Sequence, residues 1–294
     1  MQLILHDVKS VNDDLSSFIS ETGLADQGCQ NFRQLIYNYY AQHKREFAWR
    51  NCDNPYFVVV SEIMLQQTQT DRVRYKFQEF ITAFPTLACL AQSSVREVIA
   101  CWQGLGYNRR ALALHTFAQR VFTEHNGIIP SEPDILQQFK GIGPATAASI
   151  CAFACNKPTV FIETNIRAVF IHCFFKDSTA VQDKYIYPLV EQTLDRENPR
   201  EWYYALMDYG VMLKKHFKNP NKKSAHYAVQ SKFEGSDRQI RGAILKALVM
   251  HNHLTEHQLA QVIKKDPERV SKLVRELVQE KFVIYTDGLY SLAT

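Results

Sequence analysis

The sequence predicts an all-α protein that closes with a small β-hairpin, and two observations carry that expectation. Apolar residues recur at i, i+3, i+4, i+7 and i+8 in Leu114, Phe117, Ala118, Val121 and Phe122. The same spacing returns in Ile240, Ala243, Ile244, Ala247 and Leu248, and in Val270, Leu273, Val274, Leu277 and Val278. Each run marks one buried helix face. Turn-forming clusters punctuate the runs at 51–55, 104–106, 126–130 and 219–223. No internal repeat or extended low-complexity tract interrupts them, and 294 residues are enough for two or three packed units.

Composition narrows the class. A hydrophobic fraction of 46% and a charged fraction of 22% are those of a soluble globular chain. No 18-residue apolar stretch predicts a membrane span. The start, Met1-Gln-Leu-Ile-Leu-His-Asp-Val-Lys9, lacks the basic flank and apolar core of a signal peptide. The expected location is the cytoplasm, in association with the nucleoid if the source is bacterial. The seven cysteines are scattered, and none follows Cys173, which suits reduced thiols. Cys151 and Cys155 can share a helix face but have no further ligand at metal-site spacing, so buried thiols are expected and no metal.

The net charge of +4 is too mild to mark a nucleic-acid binder by itself. Its distribution is uneven: Lys214, Lys215, Lys218, Lys222, Lys223 and Lys232 fall in one stretch without an acidic residue. Two readings of this run are open, a solvated segment or a set of phosphate contacts.

Residues 231–294 form a separate unit by pattern. Ser236 or Asp237 caps a helix from Arg238 to about Met250, Thr255 and Gln258 make a capping box for a second, and Asp266-Pro267 opens a third. Phe282–Tyr285, Asp287-Gly288 and Leu289–Leu292 follow as a hairpin with its turn. Three helices and a hairpin resemble a winged helix. Arg269, Lys272 and Arg275 give its third helix a basic edge, and both DNA contact and protein docking are open for it. Residues 1–28 carry weak signals and are expected as an N-terminal arm.

Two features carry chemistry. Lys140-Gly-Ile-Gly-Pro144 feeds Ala145-Thr146 and an apolar run, so a glycine turn leaves the first amides of a helix open to an anion. Taken alone, that turn also reads as an ordinary connection between core helices. Glu62 lies among Val58, Val59, Val60, Ile63, Met64 and Leu65. Desolvation there raises a carboxyl pKa and suits a proton donor near neutral pH; a structural glutamate that caps a helix or pairs with Arg50 is the other reading.

The ordered set Trp49-Arg50, Pro55-Tyr56, Ser61-Glu-Ile-Met-Leu-Gln-Gln-Thr-Gln-Thr70, Phe84-Pro-Thr86, Trp102-Gln-Gly-Leu-Gly-Tyr107, Gly141-Ile-Gly143 and Glu163-Thr-Asn165 resembles the helix-hairpin-helix (HhH-GPD) DNA glycosylases, and among them the MutY-like adenine branch. The likeness covers roughly residues 30 to 213. It implies a two-lobed helix-hairpin-helix fold over 29–230, discontinuous in sequence, followed by the winged-helix-like unit.

The resemblance also implies roles. Glu62 is the acid that protonates the everted purine and handles the incoming water, and Arg50 contacts the flipped base. Gln67 is the wedge that fills the vacated stack, and Tyr107 assists beside the orphaned base; Tyr107 as a packing aromatic stays open. Gln67 lies five residues beyond Glu62 on what reads as one helix, so the two are expected to diverge around its axis. Lys140, Gly141, Ile142, Gly143, Ala145 and Thr146 grip DNA phosphate, with a monovalent cation on the hairpin carbonyls as an added option, and Asn165 joins the DNA-facing set. Glu163 is the second carboxylate, opposing positive charge on the deoxyribose.

Four departures from the family pattern carry expectations of their own. The family uses aspartate where Glu163 stands, and one extra methylene moves the charge by roughly 1.5 Å if extended. Ala145 replaces the lysine that makes relatives bifunctional, so a monofunctional glycosylase without lyase activity is expected. The four cysteines of an iron–sulfur cluster are missing after Ala205–Leu213, where Lys214-Lys-His-Phe-Lys218 follows, so no cluster is expected. The winged-helix-like unit stands where a MutT-like domain is usual. The leading expectation is excision of adenine opposite 8-oxoguanine or guanine from double-stranded DNA, with the winged helix open to a protein partner and no membrane contact. Two alternatives remain: a glycosylase for thymine, uracil, hypoxanthine or another altered base, and a catalytically weakened protein that binds distorted DNA.

Overall fold

Prolines and polar caps set where the helices begin. Asn54 Oδ1 accepts from the Tyr56 amide at 3.0 Å, and Pro55 then opens a helix over Pro55–Leu65. Pro144, Pro199 and Pro267 start three others in the same way. Ser94 with Glu97 and Thr255 with Gln258 form reciprocal capping boxes.

The computed structural model describes residues 19–20, 23–50, 52 and 54–293. Most of the expected N-terminal arm lies outside the described residues. Within them, Ile19–Ser20 pairs antiparallel with Gly23–Leu24, and the first helix begins at Asp26, inside the range expected for the arm. Among the described residues no helix is long and apolar enough to cross a membrane.

The chain divides into two compact units, and neither is continuous in sequence. The first holds the described residues before Asn54, then 131–134 and Gly143–Val229. Its helices are Asp26–His43, Pro144–Cys155, Thr164–Phe174, Asp183–Thr193 and Pro199–His216. Aromatic packing fills its centre. The Phe32 ring lies 5.3 Å from Phe170, 5.1 Å from Phe174 and 5.8 Å from Trp202, in tilted or edge-on geometry. Gly210 lets Pro199–His216 approach the start of Thr164–Phe174: a Cβ at 210 would stand 2.5 Å from the Asn165 carbonyl oxygen.

The second unit holds Asn54–Pro130, Ile135–Ile142 and the chain from Gln230 onward. Val59, Val60, Met64, Phe77, Phe80, Trp102, Leu114 and Phe117 form its helical core, all essentially buried. Each large side chain there contributes about 1.5–3 kcal/mol on leaving water. Phe122, expected on the same buried face as Leu114, is 43% exposed. Its position is about 80° around the helix from Leu114, at the edge of the apolar stripe.

The carboxyl-terminal helices run over Asp237–His251, Glu256–Ile263 and Pro267–Gln279, within a residue or two of expectation. Val283–Thr286 and Leu289–Leu292 form the hairpin, with Asp287 and Gly288 both at positive φ, as a two-residue turn requires. A strand that the sequence did not announce, His253–Leu254, completes a three-stranded sheet beside Leu289–Leu292. This segment has a core of its own, around Ile244, Leu248, Leu273 and Phe282. It nevertheless packs within the second unit: Arg96 donates to the Val249 carbonyl at 2.6 Å, and Arg109 pairs with Glu280 at 2.5 Å. The basic edge expected of its third helix is partly neutralised, since Arg269 pairs with Asp237 at 2.6 Å and Arg275 lies 3.8 Å from Glu256.

Gly210→Ala forces a methyl against backbone rather than against a yielding side chain. The expected cost is about 1–3 kcal/mol, read as a lower midpoint of urea unfolding with an unchanged slope.

Candidate active site

Glu62 is half-buried in the last turns of Pro55–Leu65, a helix otherwise buried at Val58, Val59, Val60, Ser61, Ile63 and Met64. The helix stops at Leu65. Gln67 is exposed and has φ of 54°, so a left-handed turn presents it, not the helix expected to carry both residues. The reason lies across the unit in Arg110, which captures the carbonyls of the last turn. Its Nη1 donates to Ile63 O and Met64 O, each at 2.9 Å, and to Gln66 O. Its Nη2 donates to Thr68 Oγ1 at 3.0 Å, Gly106 O at 3.1 Å and Leu105 O at 3.5 Å. Burial pushes the guanidinium pKa down to about 10.

The same arginine shapes the loop that carries Tyr107. Gly104 and Gly106 take φ of 92° and 72°, and Tyr107 follows at 48°. Trp102 Nε1 adds a bond to Gly106 O at 3.1 Å. The Tyr107 ring is half-buried, with the Arg110 guanidinium 5.4 Å and the Arg238 guanidinium 5.5 Å from its centroid. Gln67 and Tyr107 line one groove of about 1320 Å³ within the second unit, together with Arg72, Phe233 and Arg238.

The glycine turn is built as expected. Ile142 is buried, while Lys140, Gly141, Gly143 and Ala145 are exposed and Thr146 is half-buried in the first turn of the following helix. Gly141, at φ of 88°, leaves its ideal Cβ position 2.9 Å from the Ala113 Cβ, so only glycine fits. Gln66 Nε2 donates to Gly141 O at 3.2 Å and ties this turn to the end of the Glu62 helix.

Glu163 belongs to the first unit and folds back as the N-cap of Thr164–Phe174. Its Oε1 accepts from the Asn165 amide at 2.7 Å and the Ile166 amide at 3.1 Å, and its Oε2 from Asn165 Nδ2 at 3.3 Å. The extra methylene is thus taken up locally, in a cap rather than in an extended reach. Burial raises the Glu163 pKa, against the opposing pull of those donors and of Lys214. Lys214 is itself pushed down by burial and up by Glu163. One lysine expected in the solvated run is therefore a half-buried neighbour of this carboxylate, while Lys215, Lys218 and Lys222 are exposed. Asn165, expected among the DNA-facing residues, uses its side chain to hold Glu163.

Arg50 departs most from its expected role. Its Nη1 and Nη2 each meet Asp208 at 2.9 Å, Nη1 also donates to Arg45 O at 3.1 Å, and the guanidinium lies 4.4 Å from the Tyr204 ring centroid. Arg45 adds two further bonds to Asp208, at 2.8 and 2.7 Å. Three of the five N–H donors of this guanidinium are thus committed to holding the fold. Sequence reasoning missed Asp208 and Arg110. The signal for Arg110 was present, because it stands one turn before Leu114 on a buried face; Asp208 likewise interrupts the apolar run Tyr203–Leu213.

Among the described residues no three His, Cys, Asp or Glu groups are placed to hold a metal ion.

Comparison with known proteins follows the same lines. Residues 60–192 match the family described as HhH-GPD superfamily base excision DNA repair protein. An adenine DNA glycosylase from Buchnera aphidicola (Baizongia pistaciae) is 33% identical over 187 residues, covering 62% of this chain and 52% of that protein. This chain thus spans about half the length of that curated relative. An adenine DNA glycosylase from Mycolicibacterium smegmatis is 27% identical over 278 residues, covering 88% and 94%. In fold, a thermostable thymine-DNA glycosylase matches with a TM-score of 0.57 at 20% identity, over 66% of this chain and 91% of that one.

The raised Glu163 pKa carries a prediction. An acid whose pKa rises in the folded state becomes ionised only at higher pH, so activity needing this carboxylate declines on the acid side earlier than for an ordinary glutamate near ~4.3. Carbon-13 titration of the Glu163 carboxyl should show a midpoint above that value; a midpoint at or below it contradicts the burial argument.

Proposed function

We propose, from the match of residues 60–192 to the HhH-GPD superfamily of base excision DNA repair proteins, that the chain is a monofunctional DNA glycosylase that hydrolyses the N-glycosidic bond of adenine mispaired with 8-oxoguanine or guanine. The observation that carries this reading is the end of the Glu62 helix, where Gln67 is lifted into a left-handed turn beside Tyr107. A base inside duplex DNA is unreachable, so the nucleotide must be everted and its gap filled. Gln67, short of its helix and exposed, suits that insertion.

The chemistry assigned to the two acids is balanced. Glu62, protonated, gives its proton to a ring nitrogen of the everted adenine, and the electrons of the breaking bond leave with the base. The cationic sugar that remains is opposed by the Glu163 carboxylate. Water adds to the anomeric carbon and returns a proton to Glu62, which regenerates the acid. Ala145 supplies no amine at the hairpin, so attack by the protein to form a Schiff base lacks its nucleophile there. The product is an intact strand with an abasic site.

DNA is held, on this reading, by the open amides that follow Gly141 and by cations at the end of Pro199–His216. Phe139 O and Gly141 O accept from Ile142 N and Gln66 Nε2. Each keeps a second lone pair, and a monovalent cation on these carbonyls is proposed as an added ligand; no step runs through it. Lys215, Lys218 and Lys222 are the exposed lysines of the basic run that belong to the first unit, and they are assigned to phosphate.

Two measurements test this. In single-turnover assays on duplexes with A·8-oxoguanine, A·G, G·T, G·U and hypoxanthine, adenine is released fastest, and Glu62→Gln slows release by about 10²–10⁴-fold. Release of another base in preference to adenine, or full activity of the glutamine variant, rejects the assignment; structure-selective binding without any release points to a DNA-binding protein. Replacing Lys215, Lys218 and Lys222 with alanine lowers the slope of log affinity against log salt by about 0.9 for each phosphate contact removed. An unaltered slope returns these lysines to solvent.

A further inference from the structure

The groove that displays Gln67 and Tyr107 has a second wall, and that wall comes from the carboxyl-terminal segment: Ser231, Phe233 and the first helix from Asp237. Arg238 crosses between the walls. Its Nη1 donates to Tyr107 Oη at 2.6 Å, its Nη2 donates to Ser231 O at 2.7 Å and Oγ at 3.2 Å, and its guanidinium lies 5.5 Å from the Tyr107 ring centroid. These acceptors are all neutral. The neighbouring Arg109 and Arg241 instead meet carboxylates, Glu280 at 2.5 and 2.6 Å. Arg238 is therefore a half-buried cation whose charge its observed hydrogen-bond partners do not cancel, aimed along a groove that also offers an exposed Phe233 ring.

If adenine is everted and Gln67 enters the stack, the base left on the other strand faces this groove. We propose that Arg238 selects that opposing base by donating hydrogen bonds to the carbonyl edge of a guanine-type purine. The inference rests on the glycosylase reading and adds a specificity residue to it. The chemistry discriminates by itself. Arginine offers only donors, and guanine and 8-oxoguanine both present the O6 acceptor on the major-groove edge. Cytosine presents its N4 amino donor at the corresponding place and finds no acceptor on a guanidinium. The bond from Arg238 to the Tyr107 hydroxyl fixes the approach, since Tyr107 is anchored from below by the Arg110 network. The carboxyl-terminal segment is then part of the reading surface of the enzyme.

The test compares full-length wild type, Arg238→Met and Tyr107→Phe on adenine opposite 8-oxoguanine, guanine and cytosine in single-turnover assays. In Arg238→Met the ratio of rates with guanine-type over cytosine partners falls by about tenfold or more. Tyr107→Phe keeps the ring and removes the acceptor that aims the guanidinium, and its ratio falls by a smaller factor. A purely structural role depresses all rates together and leaves both ratios intact, which overturns the proposal. Circular dichroism and thermal melting identify a variant that fails to fold, and the other variant then decides. Equilibrium binding to abasic-site duplexes gives an answer independent of catalysis. Wild type prefers guanine over cytosine opposite the abasic site, and Arg238→Met loses that preference. If wild type binds in this way yet releases no adenine, the catalytic reading fails and the assignment of Arg238 stands; equal binding of both duplexes by wild type sinks Arg238 alone.

Discussion

A single buried cation organises the second unit. Arg110 has no carboxylate among its hydrogen-bond partners; five backbone carbonyls of the 63–66 and 105–106 segments and one hydroxyl accept from it. Burying a charge costs several kcal/mol unless polar groups replace the lost water, and here peptide dipoles do so. The geometry that satisfies the guanidinium is also the geometry that ends the Glu62 helix early and turns Gln67 and Tyr107 into left-handed conformations. Two strained side-chain presentations thus share one cause, and neither needs a glycine at its own position.

The first unit solves a similar problem with opposite charges. Asp208, buried, accepts from Arg45 and Arg50, and Arg50 stacks on Tyr204. Removing either partner would strand a charge away from water, so the cluster specifies its own arrangement. Glu163 is a half-buried acid that the N-terminus of its helix steadies, and desolvation raises its pKa against the donors around it. Gly210 supports this by admitting Pro199–His216 to the backbone of Asn165.

What the sequence disclosed follows the range of the forces involved. Capping chemistry acts within four residues, and the Ser236, Thr255 and Asp266 starts and the Asp287-Gly288 turn were all readable from local pattern. The Ser61–Thr70 string and the glycine turn pointed to the family. Long-range satisfaction was not readable: nothing local to Gln67 announces that an arginine over forty positions away will stop its helix, and nothing local to Arg50 names Asp208. Phe122 shows the intermediate case, where periodicity was right and the width of the buried stripe was overdrawn. A body discontinuous in sequence was expected from the family likeness and not from hydrophobic spacing, which is blind to which helices meet; the grouping of the carboxyl-terminal segment with the second unit was not expected.

That division affects how the protein can be made. The first unit is assembled from segments reaching to Val229, and the second from segments reaching to the hairpin near residue 290. Domains ordinarily fold in succession as they leave the ribosome. Here the early helix Asp26–His43 waits for Pro199–His216, translated much later, and the last strands to emerge close the unit begun at Asn54. Nascent chains should consequently expose the Phe32 and Ile36 face of Asp26–His43 for most of synthesis, a window in which chaperone protection matters more than it would for a chain whose units were contiguous.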